Sequence, residues 1–157
     1  AARRIADRGI PVSFHFHPMV YYLGWEREYS EVVELVLETF SAAEISFISM
    51  GSVTMIKPVV QEIRRRGGES KILQMEMVQD HHGKLTYPDH VKVDLFKKLY
   101  GAFEPWHQEV FFYLCMETAN IWKKVLGAAF ATNSEFEEAF LDRCLPASTH
   151  PSAVMTT

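Results

Sequence analysis

A chain of 157 residues with 48% hydrophobic side chains fits one domain and is long enough to bury a core. Lys and Arg number 16 against 20 Asp and Glu, for a net charge of −4 and a pI of about 6.0, so no global basic field marks the chain for nucleic acid. No run approaches the length of a membrane span, and Ala1–Arg8 has no apolar stretch of the kind a secretory signal needs. Cys115 and Cys144 are far apart in an ordinary α/β composition, which reads as free thiols in a reducing, cytoplasmic setting. The chain opens on Ala1, inside what reads as the tail of a helix, and is expected to be a piece of a longer protein.

Ala1–Arg8 has the pattern of a last helical turn, with Gly9 just past its end. Val12–His17 then alternates: Val12, Phe14 and Phe16 on one side, Ser13, His15 and His17 on the other. That is the period of a strand with one apolar and one polar face, halted by Pro18. An aromatic loop follows over Met19–Gly24. Tyr29, Val32, Val33, Val36, Leu37 and Phe40 recur at helical spacing and predict a helix from about Trp25 to Phe40.

Ile45–Met50 predicts a second strand ended by Gly51, and a second helix is expected to start at Lys57 or Pro58 and to close at Gly67-Gly68. Lys71–Val78 alternates Gln74 and Glu76 with Leu73, Met75 and Met77, which predicts a third strand. Gln79–Pro88 reads as a polar loop with His81, His82 and Lys84. Val91, Leu95, Phe96 and Leu99 give the buried stripe of a third helix over Asp89–Phe103. Val110–Met116 predicts a fourth strand, and two short helices follow near Ala119–Leu126 and Ser134–Arg143, the second with a capping box from Ser134 to Glu137. Residues 146–157 are expected to be a disordered tail, leaving 1–145 as the folded part.

The order βαβαβαβα argues a parallel sheet with helical crossovers, about four βα units of a partial (β/α) barrel. In such folds ligands gather at the carboxyl ends of the strands. The ends deliver His15 and His17, then Ser49, Met50 and Gly51, then Gln74 and Glu76, then Tyr113, Cys115 and Glu117. Polar groups withdrawn from water need partners, so this set is expected to line a ligand cavity. A His-x-His pair at a strand end also suits a divalent metal, as in barrel hydrolases. The later strand ends supply no further His or Asp for it. A non-catalytic α/β binding domain is the third reading. The chain holds no P-loop, no Cys-x-x-Cys and no Gly-x-Ser-x-Gly elbow.

The run from Ala6 to Pro18, with Gly24-Trp25-Glu26-Arg27-Glu28-Tyr29 after it, resembles spore photoproduct lyase and its photolyase-like relatives in the radical S-adenosylmethionine superfamily. Ile48-Ser49-Met50-Gly51 and Tyr113-Leu114-Cys115-Met116-Glu117, followed by Trp122, extend the resemblance to about Leu145. It implies the C-terminal half of a partial barrel that binds S-adenosylmethionine and uses a 4Fe–4S cluster. The radical so formed abstracts hydrogen from a thymine photoproduct in damaged DNA, and the crosslinked bases separate. This chain has no Cys-x3-Cys-x2-Cys, so the cluster ligands belong to the missing N-terminal half of the barrel, its implied partner. By the same resemblance His15, His17 and Ser49 are expected near the cofactor, and Glu76, Lys84, Tyr87 and Glu117 near the substrate. With the upstream strands missing, the first strand is expected to present an unpaired edge.

Overall fold

The computed structural model describes residues 1–67 and 70–144. In chain order these form α1 (Ala2–Ala6), β1 (Val12–Met19), α2 (Trp25–Thr39), β2 (Ile45–Ser52), β3 (Thr54–Met55), α3 (Lys57–Arg66), β4 (Val78–Gln79), β5 (Leu85–Thr86), α4 (Asp89–Ala102), β6 (Phe111–Leu114), α5 (Ala119–Leu126) and α6 (Asn133–Cys144). The expected tail and Gly68 lie outside the described residues. Among the described residues no helix is long and apolar enough to cross a membrane.

β1, β2 and β6 form a parallel sheet in the order β1-β2-β6. Parallel neighbours require a crossover, and α2 supplies it between β1 and β2. His15 stands opposite Ser49 and Phe16 opposite Met50, while Ser49 and Met50 face Tyr113 and Leu114 on the other side. The apolar face of the sheet packs under the helices. Phe14 meets Phe40 edge-on at 5.3 Å and Phe16 meets Phe103 at 5.9 Å. Ile48 and Met50 are fully buried in one cluster with Val33 and Val36 of α2, Leu95, Phe96 and Leu99 of α4, and Ile121 of α5. Those residues lie three and four apart on their helices, so each helix turns one stripe to the sheet.

The opposite face carries Ser13, His15 and His17 on β1, Phe47, Ser49 and Gly51 on β2, and Phe111 and Tyr113 on β6. α6 covers its amino-terminal part: Phe140 lies 5.1 Å from Phe47, and Phe136 lies 5.4 Å from Tyr113. The carboxyl-terminal part, with the two histidines, is left uncovered by α6. The helix begins earlier than its sequence suggests. Thr132 Oγ1 accepts from the Glu135 amide at 3.2 Å and the Glu135 carboxylate accepts from the Ala131 amide at 2.8 Å, so the cap falls two residues before Ser134.

One expected strand does not form. Lys71–Leu73 is a short 3-10 turn, capped by Ser70, whose Oγ accepts from the Ile72 amide at 3.3 Å; only Val78–Gln79 is extended and paired. β6 sits directly beside β2, so the sheet has no place for another parallel strand there. The alternation of Gln74 and Glu76 with Met75 and Met77 has a different cause: Ile72, Met75 and Met77 lie half-buried against the core from a coil, and the intervening polar groups face out. Alternation reports one-sided burial, which a coil laid on a core also satisfies. Val78–Gln79 pairs instead with Leu85–Thr86 in a hairpin, and β3 completes a second, antiparallel sheet in the order β3-β5-β4. The architecture is thus mixed α/β around a three-stranded parallel sheet, a part of a βα barrel.

Arg3 closes the end of the fold remote from the histidines. Its guanidinium donates to the Thr39 carbonyl at 2.9 Å and to both carboxylate oxygens of Glu44, and lies over the Phe40 ring at 4.9 Å. Glu44 also accepts from the Ser41 amide at 2.9 Å. The Arg3 hydrogen bonds, then the Ser41 amide, hold the Glu44 carboxyl down at about 2, from an ordinary 4.5. Because the folded value is the lower one, this contact stabilises the fold fully above about pH 4.5 and is lost as pH falls towards 2. Glu44→Gln should therefore lower Tm at neutral pH and flatten its slope between those pH values; melts across that window check it. β1 pairs on one side only among the described residues, and an open edge templates further strands. The 157-residue chain on its own is expected to self-associate, and a strictly monomeric species in light scattering would contradict this.

Candidate functional site

Two groups of side chains gather at the carboxyl ends of the parallel strands. The first spans β1 and β2. Ser49 Oγ and His15 Nδ1 are hydrogen-bonded at 2.6 Å, and the His15 ring lies edge-on to Phe47 at 5.3 Å. Ser49 is fully buried while His15 is exposed, so a fixed hydroxyl orients a solvent-facing imidazole. His17 lies directly over Gly51: a Cβ at residue 51 would come within 2.9 Å of three ring atoms. Glycine is needed there for that approach, since its backbone angles are otherwise ordinary. The first group therefore offers two accessible imidazoles, each placed by a neighbour on β2. Among the described residues no group of three His, Cys, Asp or Glu side chains is set to hold a metal ion. Among the described residues His15 and His17 find no third donor.

The second group surrounds a cavity of about 660 Å³ between the β4–β5 hairpin, the start of α4 and the loop after β6. Lys84, Tyr87 and Glu117 all line it, together with His81, His82 and Lys92. Within the hairpin turn Asp80 accepts from the amides of His82 at 2.9 Å and Lys84 at 2.8 Å, which fixes its shape; Gly83 takes the left-handed φ of +78° that the turn demands. Glu117 is buried. One oxygen accepts from Ser52 Oγ at 2.8 Å, and the other from Lys92 Nζ at 3.0 Å. Only 9% of the Lys92 side chain and 3% of the Glu117 side chain remain exposed.

Tyr87 is a brace. It is fully buried, donates to the Ile72 carbonyl at 3.0 Å and accepts from the Tyr21 amide at 3.4 Å. Burial pushes its phenol up, with the Tyr21 amide opposing. Its hydroxyl holds the aromatic loop and the Lys71–Leu73 turn to the core. Burial likewise pushes the Cys115 thiol up, and the Glu117 charge adds to it, so Cys115 stays protonated at neutral pH. Met116, between them, is exposed and left-handed at φ +59°. A non-glycine residue there costs about 1–3 kcal/mol and is held by its surroundings; here those are Cys115, whose amide donates to the Met50 carbonyl at 2.7 Å, and the anchored Glu117.

Glu76 is exposed on the coil before β4 and joins neither group. The sequence reading missed Lys92 and Ser52. A signal for Lys92 was present, because residues 92, 95, 96 and 99 fall at helical spacing on the buried stripe, where a lysine needs a partner. The pairing of Ser52 with Glu117 has no local signal; it depends on how the ends of β2 and β6 meet.

Helices on one face of a parallel sheet, and polar groups at the strand ends of the other, define one flank of a βα barrel. No family model matches the chain, and no curated protein does. Solved structures do. Spore photoproduct lyase complexed with dinucleoside spore photoproduct matches at a TM-score of 0.57 and 20% identity, over 73% of this chain and 36% of that one. A double mutant of that lyase with bound AdoMet and dinucleoside spore photoproduct matches at 0.57 and 20%, and a single mutant at 0.56 and 21%, over the same shares. The chain thus has the fold of part of spore photoproduct lyase and spans about a third of its length.

Gly51→Ala should displace the His17 ring and leave the core intact, because the ring is exposed and can swing away. The expected result is a shifted His17 imidazole signal by NMR with an unfolding free energy within about 1 kcal/mol of the parent's. An unmoved ring would contradict the close approach.

Proposed function

We propose that this chain forms the C-terminal half of a radical S-adenosylmethionine lyase that separates a thymine photoproduct in DNA. The observation that carries the reading is the placement of His15, Ser49 and His17 together on the uncovered end of one sheet face, in a fold shared with a lyase solved with AdoMet and a dinucleoside photoproduct.

The donor set fits S-adenosylmethionine. His15, held by Ser49, and His17, held over Gly51, present imidazoles able to donate to or accept from an adenosine edge. When bound, that cofactor supplies the hydrogen-abstracting radical of this enzyme class. The residues of this chain bind and orient it, and the apolar wall of Phe14, Phe16, Ile48 and Met50 keeps the strands rigid beneath. The donor set does not fit the cluster. Cys115 and Cys144 are the chain's only cysteines, fewer than the three thiolates such a cluster takes, so this sequence does not hold it by itself. Lys84 and the rest of the second cavity face the substrate in this reading. Glu76 contributes little to it, being exposed on the coil.

Anaerobic reconstitution of the full-length protein with iron and sulfide tests the proposal. With S-adenosylmethionine and a one-electron reductant added, an oligonucleotide carrying the photoproduct should return to two thymines, and leaving out either addition should abolish the reaction. His17→Ala should slow that turnover about tenfold or more, the value of one good hydrogen bond to a bound ligand. Full activity in that variant would sink the role of this face. Stoichiometric zinc uptake by the unaltered chain would instead favour a His-x-His hydrolase.

A further inference from the structure

We propose that the Lys92–Glu117 pair reads the imide edge of the base in the second cavity: Glu117 accepts the ring N–H and Lys92 donates to the adjoining carbonyl oxygen. The inference rests on the photoproduct reading above and names the contact by which that site takes its substrate.

The pair is expensive as mere structure. Both side chains are more than nine-tenths buried, and removing two charges from water costs about as much as their attraction returns. Apolar residues of the same size would hold α4 to β6 equally well. The pair also has bonding capacity to spare. Glu117 receives one hydrogen bond on each oxygen, from Ser52 and Lys92, where a carboxylate accepts about four. Lys92 spends one of its three protons on Glu117. Both residues line the same cavity, which gives the unused capacity somewhere to go.

An acceptor beside a donor, both charged and both held, matches a ring N–H beside a ring carbonyl. Thymine-type rings carry that pattern. A cytosine-type ring turns a lone pair at the corresponding nitrogen, which the carboxylate repels. Ser52 keeps the carboxylate from turning, so the order of acceptor and donor is fixed. The cavity walls suit a flat ring as well. His81 and His82, with ring centroids 3.9 Å apart, and exposed Met116 all line the cavity.

The test measures equilibrium binding to the full-length protein, without reductant, of the dinucleoside photoproduct and of its derivative methylated at the ring imide nitrogens. The unaltered protein should bind the methylated probe about tenfold or more weakly, the loss expected for a hydrogen bond to a charged group. A Lys92→Met, Glu117→Leu double variant, which leaves no buried charge, should fold and bind both probes alike; Glu117→Gln should reduce the discrimination while keeping the size of the side chain. Equal affinity of the unaltered protein for both probes overturns the inference, and so does undiminished discrimination in the double variant. The first comparison needs no variant, so poor folding of either substitution leaves the answer intact. Failure of the unaltered protein to bind the photoproduct at all removes the photoproduct reading, and this inference with it.

Discussion

The register of β1 against β2 is the constraint on which the site depends. A strand has a side-chain period of two, so a slip of one residue would exchange the two faces. Phe14 and Phe16 would then face solvent, and His15 and His17 would be driven under α2 and α4. The apolar face prevents this. Phe14 and Phe16 pack, partly buried, on Phe40 and Phe103, and Ile48 and Met50 are fully buried beside them, so only one register keeps all four on the packed face. The polar face inherits its order from that choice. Ser49 meets His15 and Gly51 lies under His17 because the hydrophobic residues between them have fixed partners.

The second cavity is organised differently. Its walls come from a hairpin, a helix start and a loop that are distant in sequence, and polar contacts hold them. Tyr87 ties the hairpin region to the aromatic loop and the Lys71–Leu73 turn, Asp80 shapes the hairpin turn, and Glu117 joins β2, α4 and the end of β6. A buried network of this kind tolerates little loss, because each member that leaves strands another in low dielectric. The first group gains its precision from packing and the second from hydrogen bonds. Side by side at the strand ends, they form a rigid edge and a polar recess.

The parts of this arrangement legible in the sequence are those where one residue's neighbours along the chain report its surroundings. Alternation from Val12 to His17 gave the strand and its two faces, and helical spacing through Val91, Leu95, Phe96 and Leu99 gave α4. The same kind of signal misled at Lys71–Val78, where one-sided burial of a coil has the period of a strand. Glu76 was carried towards the site by that error. Lys92 was passed over although it lies on the buried stripe, because a charged residue there has meaning only once its partner is known.

The sequence by itself determined that the chain is α/β, that parallel strands alternate with helices, that the first strand turns two histidines to one side, and that its motifs resemble spore photoproduct lyase. The first three follow from periodicity and local residue chemistry, which act over a few positions; the last rests on resemblance of motifs alone. Tertiary structure alone decided that β6 lies against β2, that α6 covers one end of the polar face, and that Glu117 meets Ser52 and Lys92. Those contacts join residues tens of positions apart, and they are set by which packing of the whole chain buries the most apolar surface while leaving no buried polar group without a partner.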